Sequence, residues 1–323
     1  MHSEGLTAGE RLSVDCALGW VEPIVLEAID RCEEPSRDTE LSLLIDHDRR
    51  PFHGQDWLPF GRGAWTRDGA VVLRDACTSG FDLALRTTEA GVAFGFRWRP
   101  PRSSRAAQLA LRARFRLLAR AVLVQYPALW RASVRGRVPI HAPVVRAGDA
   151  TVMLAGPSGV GKTTLIEREL AAGGRAISDN LCVTDGTTAW GVVEPTRSDA
   201  IHGRRSTHGR REGPLSGRAV ELVPDRIVVL RRAETGGVRT RHLEPAEAAR
   251  ALVAGTYMAG ELRRFWGLAA TLSAATGIGP VHPPVAEVAS VIAGRLPCFE
   301  LSIGDISGVR LAEALEGSVR VCV

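Results

Sequence analysis

Residues Thr151 to Leu170 read TVMLAGPSGVGKTTLIEREL, and within them Gly156, Gly161, Lys162 and Thr163 fit the pattern G-x-x-x-x-G-K-[ST]. The flanks supply the context that this pattern needs. Ala150 to Ala155 is an apolar run suited to a buried strand, while Thr164 to Ala172 lacks Gly and Pro and sets Ile166 and Leu170 one helical turn apart. Strand, glycine loop and helix in that order make an anion cradle. Gly156, Gly159 and Gly161 give the backbone conformations that turn successive N–H groups inward, and the new helix adds its positive end. Lys162 offers a movable point charge and the Thr163 hydroxyl a Mg²⁺ ligand. The candidate nucleotide-binding residues are therefore Gly156, Pro157, Ser158, Gly159, Val160, Gly161, Lys162, Thr163 and Thr164. The chain has 41 basic residues, yet Lys162 is its single lysine; everywhere else positive charge is written as Arg.

A chain of 323 residues can bury a sizeable core, and two domains are expected. No apolar run is long enough to span a bilayer, and the opening MHSEGLTAGERL has no secretory apolar stretch, so the expected location is cytoplasmic with no membrane partner. The six cysteines, Cys16, Cys32, Cys77, Cys182, Cys298 and Cys322, are scattered without a C-x-x-C pair, which argues against a zinc site or a disulfide framework. A net charge of +5 favours anionic ligands. No nucleic-acid partner is expected: Arg112, Arg114, Arg116 and Arg120 lie on one predicted helix without interleaved aromatics, and read as a solvated face.

Three segments emerge: an accessory or substrate-recognition domain over 1–102, a connecting helix over 103–135, and an α/β domain over 136–323. In the first, Val21 to Ile29 and Leu41 to Ile45 are apolar runs, and Ala70 to Leu73, Phe81 to Arg86 and Val92 to Trp98 read as strands punctuated by Asp68-Gly69 and Ser79-Gly80. The string Asp46-His47-Asp48, followed by Arg49 and Arg50, reads as a solvated loop rather than a metal clamp. Pro100-Pro101 ends the segment, and Ser103 or Ser104 is positioned to cap a helix running to about Tyr126 with Leu111, Phe115, Leu118 and Val122 as its apolar stripe. From Val138 strands alternate with helices. Ile140 to Arg146 and Ala150 to Ala155 are expected as neighbours, with further strands at Arg175 to Ser178, Thr187 to Val193 and Arg226 to Leu230. Helices are expected over Pro245 to Val253, Gly260 to Thr276 and Val309 to Leu315. Because ligands gather beyond the carboxyl ends of strands in such sheets, Asp179-Asn180 should face the crevice around Lys162.

The loop Gly156-Pro157-Ser158-Gly159-Val160-Gly161-Lys162-Thr163, a histidine (His141) fifteen positions before it and Asp179-Asn180 seventeen beyond Lys162 together resemble the HPr kinase/phosphorylase family and its HPr-kinase-like relatives. The likeness covers about His141 to Arg197, more loosely Arg226 to Leu252. It implies a P-loop kinase domain with a smaller mainly β or α/β domain before it, and ATP and Mg²⁺ as cofactors. By the same likeness Asp179 would take the proton from an acceptor hydroxyl, with His141 beside it and Lys162 completing the catalytic set. Thr163, Asp179, Asn180 and Glu194 are the candidate metal contacts. The family's second aspartate is here Asn180, and its E-[IV]-R-G segment is answered only by Glu194 and Arg197 in VVEPTR. Both departures point away from phosphorolysis and towards relatives associated with peptide maturation.

The expected activity is transfer of the γ-phosphoryl of ATP to a Ser or Thr hydroxyl of a peptide or protein, a ribosomal peptide precursor being one acceptor of that class. Two other readings stay open: a nucleotide-binding switch with little turnover, and a small-molecule hydroxyl kinase. Self-association into a homo-oligomer is also left open. The Arg-rich segment Ser198 to Arg218, with Arg204, Arg205, Arg210 and Arg211, is long and polar enough to be a mobile lid, an acceptor-binding loop or simply disordered, with the functional readings preferred. Its LSGR faintly echoes transporter ATPases, but the following strand runs into Arg231-Arg232 rather than an acidic pair.

Overall fold

The computed structural model describes residues 1–32, 40–88, 91–102, 105, 110–198, 204–205, 210–234, 237–304, 306 and 308–319. Ser103, Ser104, Cys322 and much of the segment between Ser198 and Arg210 lie outside the described residues. The chain is mixed α/β with several sheets and divides into two units, one gathering Met1–Gly136 with Arg264–His282, the other built on Arg137–Arg204, Arg210–Arg263 and Pro283–Val323.

Alternating apolar residues explain the first unit. Leu12, Val14, Leu41, Leu43, Ile45, Phe94, Phe96, Leu83 and Leu85 are all buried, every second residue along four adjacent strands. Those strands, Glu10–Cys16, Leu41–Asp46, Gly91–Trp98 and Phe81–Thr88, are the middle of a nine-stranded sheet. The hairpin of Ala64–Arg67 with Ala70–Leu73 turns at Asp68 and Gly69, both at positive φ, the mirror-image turn that suits strand twist. An unforeseen hairpin opens the chain: His2–Thr7 pairs with Glu10–Cys16 through Ala8 and Gly9, again both at positive φ.

The helical segment 112–134 belongs to this unit. It runs as Arg112–Arg120, one π-helical turn at Ala121–Gln125, and Tyr126–Val134. Trp130 is buried against Phe94 and donates its indole N–H to Ser273 at 3.0 Å. The expected solvated arginine face holds for Arg112 and Arg114, which are exposed, but not for Arg120, which is fully buried and with Arg116 grips Glu27, at 3.4 and 3.1 Å. Nor is Asp46-His47-Asp48 simply solvated, because Asp46 and Asp48 hold Arg97, whose guanidinium lies over Phe52.

In the second unit a six-stranded sheet runs Arg175–Ala176, Val144–Ala147, Ala150–Ala155, Arg226–Arg232, Cys298–Ile303, Val238–His242, with its middle three strands parallel. Val152, Leu154, Val228, Leu230 and Leu301 pack there with Leu165 and Ile166 of the helix Lys162–Ala171. The strand expected over Ile140 to Arg146 is in fact two. Val138–Ile140 joins Cys182–Thr184, Ala189–Gly191 and Glu221–Leu222 in a separate sheet, and only Val144–Ala147 pairs with Ala150–Ala155. Pro143 has no N–H to continue a ladder, so the chain changes sheets at His141-Ala142-Pro143. Pro245–Met258 and Val285–Arg295 are helices, and the described part of the Arg-rich segment pairs Arg211–Gly213 with Thr196–Ser198. No helix of the described residues is long and apolar enough to cross a membrane.

Candidate functional site

The buried strand Ala150–Ala155 ends at Gly156, where the glycine loop begins. Gly156, Gly159 and Gly161 all have positive φ, and two of them are also crowded. A Cβ on Gly156 would lie 2.9 Å from the Leu230 carbonyl oxygen, and one on Gly161 would run into Ile306. Only glycine satisfies both the conformation and the space. Lys162, first residue of the helix, is 7% exposed and donates its Nζ to the Gly156 carbonyl at 2.7 Å and the Pro157 carbonyl at 3.2 Å. Burial lowers its pKa from 10.5 to about 8, partly opposed by the negative charge of Glu261.

A cavity of about 330 Å³ opens over this loop. Its wall combines Ser158 through Thr164 with His141, Asp179, Asn180, Glu194, Arg197, Arg210, Arg232 and Glu261. Of the residues expected at the site, Gly156 and Pro157 do not line this cavity but a neighbouring one. Asp179 follows the short strand Arg175–Ala176 and the bend after it, and is 8% exposed. The Thr196 hydroxyl donates to Asp179 Oδ2 at 2.7 Å. Burial raises the Asp179 pKa, with the Thr196 bond and the Arg197 charge working against it.

His141 stands at the sheet crossing described above. Its N–H meets the Thr256 hydroxyl at 3.1 Å and its Nδ1 donates to the Gly255 carbonyl at 3.1 Å. Burial and the Lys162 charge lower its pKa, so the ring is neutral at pH 7. The side-chain amide of Asn180 hydrogen-bonds that ring and also donates Nδ2 to Glu194 Oε1 at 3.0 Å. A hydrogen-bonded string thus runs His141, Asn180, Glu194. Arg197 gathers the acids, lying 3.6 Å from Glu261, 3.7 Å from Glu212 and 4.0 Å from Glu194.

Thr163, Asp179, Asn180 and Glu194 all present oxygen to one cavity, the hard donor chemistry that Mg²⁺ takes. Among the described residues no group of three or more His, Cys, Asp and Glu is arranged to hold a metal ion alone; Mg²⁺ is commonly held by one or two carboxylates together with substrate phosphates. Glu261 and Arg232 went unnoticed in the sequence. Arg232 ends the strand beside the loop strand, so its strand-end position was the available signal. Glu261 sits in the link after Pro245–Met258 and carries no motif. Comparison with protein-family models and with curated proteins gave no match.

Proposed function

We propose that the chain is an ATP- and Mg²⁺-dependent kinase that transfers the γ-phosphoryl to a Ser or Thr hydroxyl of a peptide or protein. One observation carries this reading: the glycine loop with Lys162 and the acid Asp179 line the same cavity. In the proposed reaction the loop N–H groups bind phosphate oxygens, and Lys162 exchanges the Gly156 and Pro157 carbonyls for a phosphate. Bound Mg²⁺ supplies neutralisation of the transferring charge. Asp179 takes the proton of the acceptor hydroxyl as its oxygen bonds to the γ-phosphorus, and ADP leaves with the electron pair of the broken bond. A raised pKa keeps Asp179 a better base than an ordinary surface aspartate while leaving Arg197 and Thr196 to orient it. Neutral His141 positions Asn180 and adds no charge against Lys162.

The test is incubation with labelled ATP and serine peptides followed by intact-mass measurement. Asp179→Asn is expected to lower transfer by about 10²–10⁴-fold with nucleotide affinity unchanged. Undiminished transfer removes Asp179 from the base role. A second reading rests on the Thr196 bond to Asp179, which ties the Thr196–Ser198 strand to the cavity: a nucleotide could order the Arg-rich segment for a partner. Nucleotide-dependent pull-down without any mass gain selects that switch.

A further inference from the structure

A second cavity of about 530 Å³ shares five wall residues with the first: His141, Ser158, Asn180, Arg232 and Glu261. It falls in the range of about 300–1,000 Å³ typical of ligand sites. Beyond the shared wall its character changes. Ala251, Ala254, Gly255, Met258, Ala259 and Gly260 contribute small or apolar surface from the end of Pro245–Met258 and the turn after it. Met258, 83% exposed, offers an unbranched side chain that adapts to varied partners.

We propose that this second cavity is the acceptor subsite, and that it takes a peptide whose hydroxyl residue is flanked by apolar side chains. The inference rests on the kinase reading above and names its substrate class. Continuity places it: an acceptor must reach the phosphate cavity from a neighbouring space, and the shared wall carries the polar groups a hydroxyl needs, a carboxylate at Glu261, an imidazole at His141 and an amide at Asn180. The lining sets the flank. Arg231 on this wall already bonds Glu300 at 2.6 Å, and Arg232 shares the wall with Glu261, so the small and apolar surface of Ala251, Ala254, Met258 and Ala259 rather than net charge favours apolar neighbours of the hydroxyl. A nucleoside is the rival occupant, and the test must separate it.

Gly260 is the place to probe. Gly260 lines the cavity, a Cβ there meets nothing within 4 Å and its φ is not positive, so Gly260→Leu adds bulk at the cavity rim without backbone strain. Ala254→Leu, at an exposed helix position, does the same from another side. Wild type and both variants are offered two acetylated peptides, Ala-Ala-Leu-Ser-Leu-Ala-Ala and Ala-Ala-Arg-Ser-Arg-Ala-Ala. Fluorescent ATP binding and peptide-independent ATP hydrolysis are read in parallel. Wild type is expected to favour the leucine-flanked peptide by about tenfold or more in kcat/KM, and both variants to erase that preference through KM. Nucleotide affinity and hydrolysis stay as in wild type. Unchanged peptide kinetics in both variants overturn the proposal, and so does a loss of nucleotide affinity, which would put the nucleoside in this cavity. Hydrolysis by wild type without transfer to either peptide overturns the peptide assignment but leaves the nucleotide reading standing. Failure of wild type to bind nucleotide overturns the kinase reading itself.

Discussion

Each unit of this protein buries an ion cluster, and the two are balanced in opposite ways. In the first unit two arginines, Arg116 and Arg120, close on one carboxylate, Glu27. In the second, one partly buried guanidinium, Arg197, faces Glu194, Glu212, Glu261 and Asp179, with Arg204 reaching Glu212 from a more exposed position at 2.6 Å. The first cluster sets two guanidinium groups against one carboxylate and lines neither cavity described above. The second sets four carboxylates against two guanidinium groups, and three of those carboxylates, Asp179, Glu194 and Glu261, line a cavity that also carries Lys162, Arg210 and Arg232. A cluster of that composition is suited to a further cation held between the carboxylates and an anion held by the lysine, which is the arrangement that Mg²⁺ and nucleotide phosphates would complete.

The largest effect expected from this contrast comes from removing the central cation. Arg197→Met removes the cation that faces three buried acids, Glu194, Glu212 and Asp179, and should destabilise the protein by about 3–5 kcal/mol, read by chemical denaturation at pH 7.5. Asp179 already has a raised pKa in the folded state, and losing Arg197 raises it further. The folded state of the variant therefore binds more protons than the unfolded chain at mildly acid pH, and its deficit against wild type should shrink as pH falls towards 5. An equal deficit at both pH values would break the account of Arg197 as the counterion of a carboxylate cluster.

Lys162, on the same cavity, is the next test. Lys162→Met keeps length and removes a buried ammonium, so phosphoryl transfer should fall on the order of 10²–10³-fold while stability rises by about 0.5–2 kcal/mol. The sign follows from the depressed pKa: between about 8 and 10.5 the unfolded chain holds a proton that the folded protein has released, so on this group's account stability increases with pH over that window. A variant less stable than wild type would mean that the bonds to Gly156 and Pro157 outweigh the burial of the charge.

The same pKa gives a finer test on intact protein. An anion favours the ammonium form, so below pH 8 phosphate binding needs no proton, and above it binding must take one up. Nucleotide affinity should fall above pH 8 by at most about tenfold per pH unit. Calorimetry in buffers of different ionisation heat should record proton uptake that vanishes in Lys162→Met. Affinity that is flat from pH 7 to 9.5 would remove the lysine from the phosphate contacts.

What could be read from the chain beforehand was what is local. The glycine loop, the strand before it and the helix after it occupy consecutive residues, and the hairpin at Asp68-Gly69 is written in its own two turn residues. The opening hairpin escaped notice because Ala8, at positive φ, is a residue type that rarely signals such a turn. Apolar content alone made Ile140 to Arg146 look like one strand, whereas the missing N–H of Pro143 sends its two halves to different sheets. The helix arginines looked solvated since their partner, Glu27, lies about ninety positions away. For the same reason Glu261 was illegible at the site: it reaches the wall by the return of a distant segment, and no spacing in the sequence encodes that meeting, whereas Arg232 had its strand-end position as a signal.

The smallest expected effect belongs to the first cluster and serves as the control. Arg116 and Glu27 are each about a quarter exposed, with side-chain accessibilities of 22% and 26%, and Arg120 still reaches Glu27 when Arg116 is gone. Arg116→Met should therefore cost no more than about 1 kcal/mol. The cost should also shrink in high salt, because a partly exposed pair is screened, whereas the Arg197→Met deficit should persist, since Glu194, Glu212 and Asp179 are far less exposed than Glu27. If both substitutions prove equally costly and equally insensitive to salt, then the surplus of carboxylates around Arg197 has no special consequence. The case for cation binding at the second cluster would then lose its energetic basis.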